Sequence, residues 1–227
     1  MASAGALNKA ASAKKRLLKE SVRLIQEQGL GGLSFREMAR RAGVSHQLPY
    51  HHFSSREGIL AAIALDGFTD LDDALVAAAA RYANAAPPKI LQEVVRGYVN
   101  FALKHPVHFS VMFRPELVPV RRHPEVFAKA RASFGRLLDA VASCHPVAKR
   151  SDRRLLEIAN ALWAAAHGLA TLLLDGPMRG NSPRLSPAAL IESATEMFSE
   201  AGASAKRLSQ KRSDKLSAAN TASSSTT

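Results

Sequence analysis

Residues 33–63 read LSFREMARRAGVSHQLPYHHFSSREGILAAI, and the way this stretch turns decides the fold. Ser34 stands immediately before an amphipathic run, with Glu37 three residues on. That spacing predicts a helix opened by a capping box, in which the serine oxygen accepts from a backbone N–H and the glutamate reaches back to the cap. Gly43 ends this second helix after Met38 and Ala39 have turned toward the core. Ser45 is positioned to cap a third, short helix running through Tyr50, so AGVS, residues 42–45, becomes the tight corner of a helix-turn-helix. A fourth helix is expected from near Ser55 to about Tyr82, with Arg56 and Glu57 in its first turn and Ile59, Leu60, Ile63, Leu65, Leu71, Leu75 and Val76 along it.

A recognition helix must bring polar groups to base edges, donate hydrogen bonds to phosphates and anchor itself with a few apolar side chains. Val44 and Phe53 suit the anchoring role, while Ser45, His46, Gln47, Tyr50, His51 and His52 offer hydroxyl, amide and imidazole groups. Counted from Ser45 as cap, Pro49 would be the fourth helical residue, where its missing N–H and its ring disturb the preceding turn. The expectation is a short or distorted third helix.

Outward from this stretch the chain reads as all-α. A first helix is expected over about Ala13–Gln28, with Leu17, Leu18, Ser21, Val22 and Ile25 as its inner stripe. Later helices are expected over about 88–104, 106–113, 124–143, 152–175 and 187–201, several opened by prolines in the first turn. The division expected is a flexible basic arm over 1–12, a helix-turn-helix domain over 13–60, a larger helical domain over 61–202 and a disordered tail over 203–227. The most apolar run, IANALWAAAHGLATLLL at 158–174, is bounded by Glu157 and Asp175 and contains Asn160 and His167. It is short of the roughly 20 apolar residues of a membrane span, so a helix buried in protein is expected.

The net charge of +12 is concentrated at the two ends: residues 1–60 hold ten basic and four acidic side chains, and 203–227 hold five and one. Such a balance suits a polyanionic partner and could equally reflect a basic tail. A single cysteine, Cys144, excludes an intrachain disulfide framework and a cysteine-rich metal site, and a reducing, cytoplasmic setting is expected, as no continuous apolar segment precedes the first basic residues. Cys144 lies beside His145 and near Lys149 and Arg150, which leaves oxidant sensing open. His105 and His108 flank a proline without neighbouring carboxylates, so no metal and no cofactor is expected. The sequence holds no Walker loop, dinucleotide fingerprint, HExxH or GxSxG, which argues against an enzyme.

On Leu33, Ala39, Ala42 to Ser45, Tyr50, His52, Phe53, Arg56 and Glu57 the stretch resembles the TetR family of bacterial transcriptional regulators. The later WAAAHG, Trp163 to Gly168, preceded by HPVHFSVMFRPEL, is similar to a subgroup whose C-terminal domain carries Trp-x-x-x-His-Gly. The resemblance implies an N-terminal three-helix helix-turn-helix domain followed by a helical ligand-binding and dimerisation domain. It implies phosphate contacts from Tyr50, His52 and Arg56 and base contacts from His46, Gln47 and His51, with Ser34, Arg36 and Ser45 on the same DNA-binding surface. It further implies a homodimer paired through about 152–175 and 187–201, reading a palindromic operator in double-stranded DNA and responding to a small-molecule effector. Phe101, Phe109, Met112, Phe113, Phe134, Trp163 and His167 are the candidate effector contacts, because a small-ligand cavity is mostly apolar with a few polar groups. Trp163 and His167, four apart, share a helix face, and Gly168 would admit a close neighbouring helix. A repressor released by its effector is the leading reading. A ligand-independent or architectural DNA-binding protein is the alternative.

Overall fold

The computed structural model describes residues 4–119, 121–145, 149, 152–176 and 186–198. Every long element among them is helical: α1 Ala4–Gln28, a 3-10 turn at Leu30–Gly32, α2 Phe35–Ala42, α3 Leu48–Phe53, α4 Arg56–Arg81, α5 Pro87–Lys104, α6 Pro106–Met112, α7 Pro124–Ser143 and α8 Arg153–Asp175. A further helix, α9, covers 187–198. Prolines open α5, α6, α7 and α9, where a missing N–H costs no helical hydrogen bond. The expected tail, 203–227, lies outside the described residues.

Two boundaries differ from expectation. Helix α1 starts at Ala4, so residues 4–12 continue the first helix instead of forming an arm; they are rich in alanine and contain no proline to stop a helix. Helix α3 starts at Leu48 and not beside Ser45. Residues 45–47 instead form a turn in which the Leu48 N–H bonds the Ser45 carbonyl at 3.1 Å. Pro49 explains the shift, because a later start puts it in the first turn, where its ring and missing N–H disturb nothing. The helix is six residues long, as short as the proline implies.

The described residues divide into two compact units. The first runs through Ala74 and includes Phe101–Phe134; the second comprises Leu75–Asn100 and the chain from Gly135 onward. In the first unit α1 buries Ala13, Leu17, Ser21, Leu24 and Ile25 against α2, α3 and α6, with Leu18 and Val22 half-buried at the margins of that stripe. Ser21 is fully buried and its hydroxyl satisfies itself on the Leu17 carbonyl and the Met38 sulfur, which ties α1 to α2. α4 contributes Ile59, Leu60, Ile63, Phe68 and Leu71 to the same core. Residues 61–74 and 101–134 join the first unit for visible reasons: Met112 packs where a side chain on Gly67 would stand, and the Ser133 hydroxyl donates to the Phe68 carbonyl.

In the second unit Leu91, Val94, Val95 and Tyr98 of α5, Leu137, Leu138 and Val141 of α7, and Leu155, Ala159, Leu162, Ala166 and Ala170 of α8 are buried, with Ile191 from α9. Helix α8 has the length and apolar composition that could cross a membrane. Its buried stripe and its polar flanks Arg153, Arg154, Glu157 and Asp175 are those of a helix packed in protein.

Candidate nucleic-acid interface

The corner between α2 and α3 is fixed by backbone chemistry. Ser34 caps α2 by accepting from the Glu37 N–H at 3.4 Å, the expected half of the capping box. The other half is absent, because the Glu37 carboxylate turns outward to Arg40 (2.7 and 2.8 Å) and Arg41 (2.8 Å). Those two guanidinium groups hold the carboxyl at about 2, well under the usual carboxylate range. Arg41 also reaches Glu27 of α1 at 2.8 Å. Arg40 and Arg41 are therefore balanced within the protein, while Arg36 is exposed and has no ion pair among the described residues. Gly43, at φ 63°, then reverses the chain in the left-handed conformation that suits glycine.

Past that corner, Ser45, His46, Gln47, Tyr50 and His51 are all exposed, whereas Pro49 and Phe53 are buried. Val44 is half-buried. The side chains of His46, Gln47 and His51 have no hydrogen-bond partner among the described residues, so their donors and acceptors are open to a partner. Tyr50 is 54% exposed, yet its ring is held by stacking on Phe35 of α2, with centroids 4.4 Å apart and planes at 16°. A rigid ring with a projecting hydroxyl costs little ordering when it meets a phosphate.

Two of the expected phosphate contacts are placed differently. The Arg56 guanidinium donates to the Leu30 carbonyl in the turn after α1, although it remains exposed with further N–H groups. His52 is half-buried, and its Nε2 is enclosed without a partner. Burial, with Lys14 and His51 nearby, holds this imidazole below its ordinary range, so it is neutral at pH 7 and anchors α3 beside Phe53.

The candidate effector residues fall in both units. In the first, Phe101, Phe109 and Met112 are buried and Phe113 and Phe134 half-buried. Phe113 sits edge-on to Phe68 (5.4 Å) and to Phe109 (5.3 Å), and His105 stacks on Phe101 at 5.0 Å. His108, itself buried, lies 3.4 Å from Asp66, and this imidazole lowers the Asp66 carboxyl. In the second unit the Trp163 and His167 rings are 6.2 Å apart and are joined by Tyr98, a residue that sequence reasoning does not single out. Its hydroxyl is 2.8 Å from His167 Nδ1 and is hydrogen-bonded to Trp163 as well. Burial raises the Tyr98 hydroxyl far above its ordinary range and lowers His167, so both are neutral and form a fixed polar bridge in an apolar setting. The only signal for Tyr98 is its place on the inner stripe of α5, which by itself marks any core residue. At Cys144 burial pushes the thiol up, the reverse of what a reactive thiolate needs.

Residues 17–63 match the family described as "Bacterial regulatory proteins, tetR family", and residues 91–198 match "Tetracyclin repressor-like, C-terminal domain". The chain is 30% identical over 175 residues to the HTH-type transcriptional regulator BetI of Cronobacter sakazakii, covering 72% of this chain and 76% of that protein. Among solved structures it resembles a protein of unknown function from Rhodococcus sp. RHA1, with TM-score 0.69 and 26% identity over 83% of this chain and 94% of the other. It shares its fold with PfmR, a TetR family transcriptional regulator from Thermus thermophilus, with TM-score 0.59 and 19% identity over 82% and 97% of the two chains. With its helix-turn-helix and helical C-terminal domain in place, the chain belongs to the TetR family of DNA-binding bacterial transcriptional regulators.

Proposed function

We propose that this protein is a homodimeric repressor that binds a palindromic operator and leaves it when a small effector binds. The observation that carries the DNA-binding part is the row of exposed, unpartnered hydrogen-bonding side chains, His46, Gln47 and His51, set beside the ring-locked Tyr50 on a helix anchored by Pro49 and Phe53. Gln47 carries the paired donor and acceptor that match an adenine edge. Tyr50, Arg56 and the uncompensated Arg36 supply phosphate contacts, and Ser34 and Ser45 add hydroxyls at the corner.

Dimerisation is supported by the outward face of α8 and α9. Leu172 is 42% and Met197 72% exposed, and a Cβ built on Gly168 would meet nothing within 4 Å. Large apolar groups on a stripe of small residues favour a second copy packed as a four-helix bundle. Effector binding draws on two separate candidate sets, the apolar residues Phe101, Phe109, Met112, Phe113 and Phe134 of the first unit, and Trp163 and His167 of the Trp-x-x-x-His-Gly subgroup pattern in the second. The effector acts only through its differential affinity for the DNA-competent and DNA-incompetent states.

The test is selection of duplexes from a random library by the full chain, followed by a screen for small molecules that weaken binding to the selected duplex. Enrichment of one palindrome, weakened by a specific compound, is the expected result. Uniform affinity for all duplexes, falling steeply with salt, would favour the architectural alternative.

A further inference from the structure

The Glu57 carboxylate lies in the first turn of α4, one residue after Arg56, and both of its oxygens are taken by consecutive residues from far along the chain. Arg122 Nη2 is 2.9 Å from Oε2 and His123 Nε2 is 3.0 Å from Oε1. The other ring nitrogen of His123 faces Glu125, 3.4 Å away, so the imidazole is held between two carboxylates. His123 and Glu57 are mostly shielded from solvent, and Arg122 closes the pair from outside.

Glu57 sits on a stiff corner. The Ser55 N–H bonds the Phe53 carbonyl, and the Ser55 hydroxyl accepts from the Gly58 N–H at 3.1 Å. A Cβ on Gly58 would come within 2.0 Å of the Phe53 carbonyl oxygen, so the end of α3 and the start of α4 are pressed together without slack. Whatever holds Glu57 therefore holds Phe53, and through Phe53 the helix that carries Tyr50 and His51. A carboxylate in a helix's first turn is favoured by the helix dipole alone. That accounts for Glu57 but not for two basic side chains converging on it from the loop before α7.

We propose that Arg122 and His123 are positioning residues for DNA recognition: they clamp Glu57 and so fix the α3–α4 corner at the angle that α3 needs in the major groove. The proposal rests on the reading of α3 as the recognition helix. It also gives the loop that begins at Phe113, next to the candidate effector contacts Phe109 and Met112, a direct mechanical hold on that helix.

The experiment is a charge-reversal cycle with Arg122→Glu, Glu57→Arg and the double variant, each as full-length protein. Binding is measured on a duplex selected from a random library by the wild type and on an unrelated duplex of equal length, and amide hydrogen exchange is followed over residues 50–60 in free protein. Each single change is expected to lower affinity for the selected duplex by roughly tenfold, to alter the unrelated duplex much less, and to speed exchange at the corner; the double variant recovers most of both. Arg122→Lys, which keeps the charge, should stay close to wild type. Losses that add in the double variant, or single variants with unchanged exchange at the corner, would overturn the clamp. If the wild type selects no sequence at all, the DNA reading fails by itself, and the exchange cycle still decides for or against the clamp.

Discussion

The outward side of α3 and the outward side of α8 are both exposed, and they offer opposite chemistry. Around α3 the exposed groups are Ser45, His46, Gln47, Tyr50 and His51, each able to hydrogen-bond. Along α8, past the exposed polar groups Arg153, Arg154, Glu157 and Asn160 of its first turns and before Asp175 at its end, they are Ala161, Ala164, Ala165 and Leu172, with the open edge of Gly168, and Met197 stands out from α9. The first surface gains energy only from a partner with matching polar groups, since it has little apolar area to bury. The second gains only from exclusion of water and close fit. A duplex suits the one and a second copy of the chain suits the other, so the contrast predicts that each surface can be damaged without harming the other.

The largest effect is expected on the apolar side. Leu172→Asp would place an unpaired carboxylate in each half of the proposed helical bundle, at a cost of about 3–5 kcal/mol. Sedimentation should show monomers that remain helical, and operator binding should fall with dimerisation. A variant that stays dimeric would remove α8 from the interface.

A smaller loss should come from the interior of the second unit. Tyr98→Phe removes the hydroxyl that bridges Trp163 and His167, and should lower stability to denaturant by about 1–3 kcal/mol. DNA affinity of the folded dimer should stay near wild type. A loss confined to DNA binding would show that the bridge serves the recognition surface instead.

On the polar side Gln47→Ala should cost roughly 1–3 kcal/mol at the selected duplex and much less on random sequence, relaxing one base position in each half-site. Tyr50→Phe keeps the stack on Phe35 and loses one phosphate contact, so about 1 kcal/mol should be lost on every duplex alike. Titrations on point-changed duplexes separate the two patterns, and equal losses everywhere for Gln47→Ala would demote it to a backbone contact.

The smallest effect concerns Glu37, whose folded-state carboxyl is lowered to about 2 by Arg40 and Arg41. A depressed carboxylate contributes stability that is complete above the ordinary carboxylate range and is lost as pH falls toward the folded value. Glu37→Gln should therefore lower Tm slightly at pH 7, and the difference should shrink as pH falls through about 2 and vanish below it. A difference that stays at its pH 7 size below pH 2 would mean that the contacts to Arg40 and Arg41 do not depend on charge.

The local rules make much of the first unit legible. Ser34 as cap, Gly43 as stop and the start of α4 beside Ser55 follow from short-range geometry, and all three stand where the residues put them. Helix α3 begins three residues beyond Ser45, which has the chemistry of a cap, because Pro49 has the stronger claim on the first turn. The missing half of the capping box fails because Arg40 and Arg41 outcompete a neutral N–H for the Glu37 carboxylate. Long-range pairings leave no local mark. Nothing near Tyr98 names His167, and nothing near Glu57 names Arg122 or His123, since each partner lies more than sixty residues away. The enclosure of His52 likewise depends on how α3 meets its neighbours, which residue type alone does not reveal.

The most direct test of the two-surface account is binding of the wild-type chain to its selected duplex with one half-site scrambled. Two α3 helices held by one dimer require both halves, so affinity should fall on the order of a hundredfold toward the level of random sequence, with one dimer per intact duplex. Unchanged affinity for the half-scrambled duplex, or a single copy bound to it as tightly as the dimer binds the whole, would contradict the account.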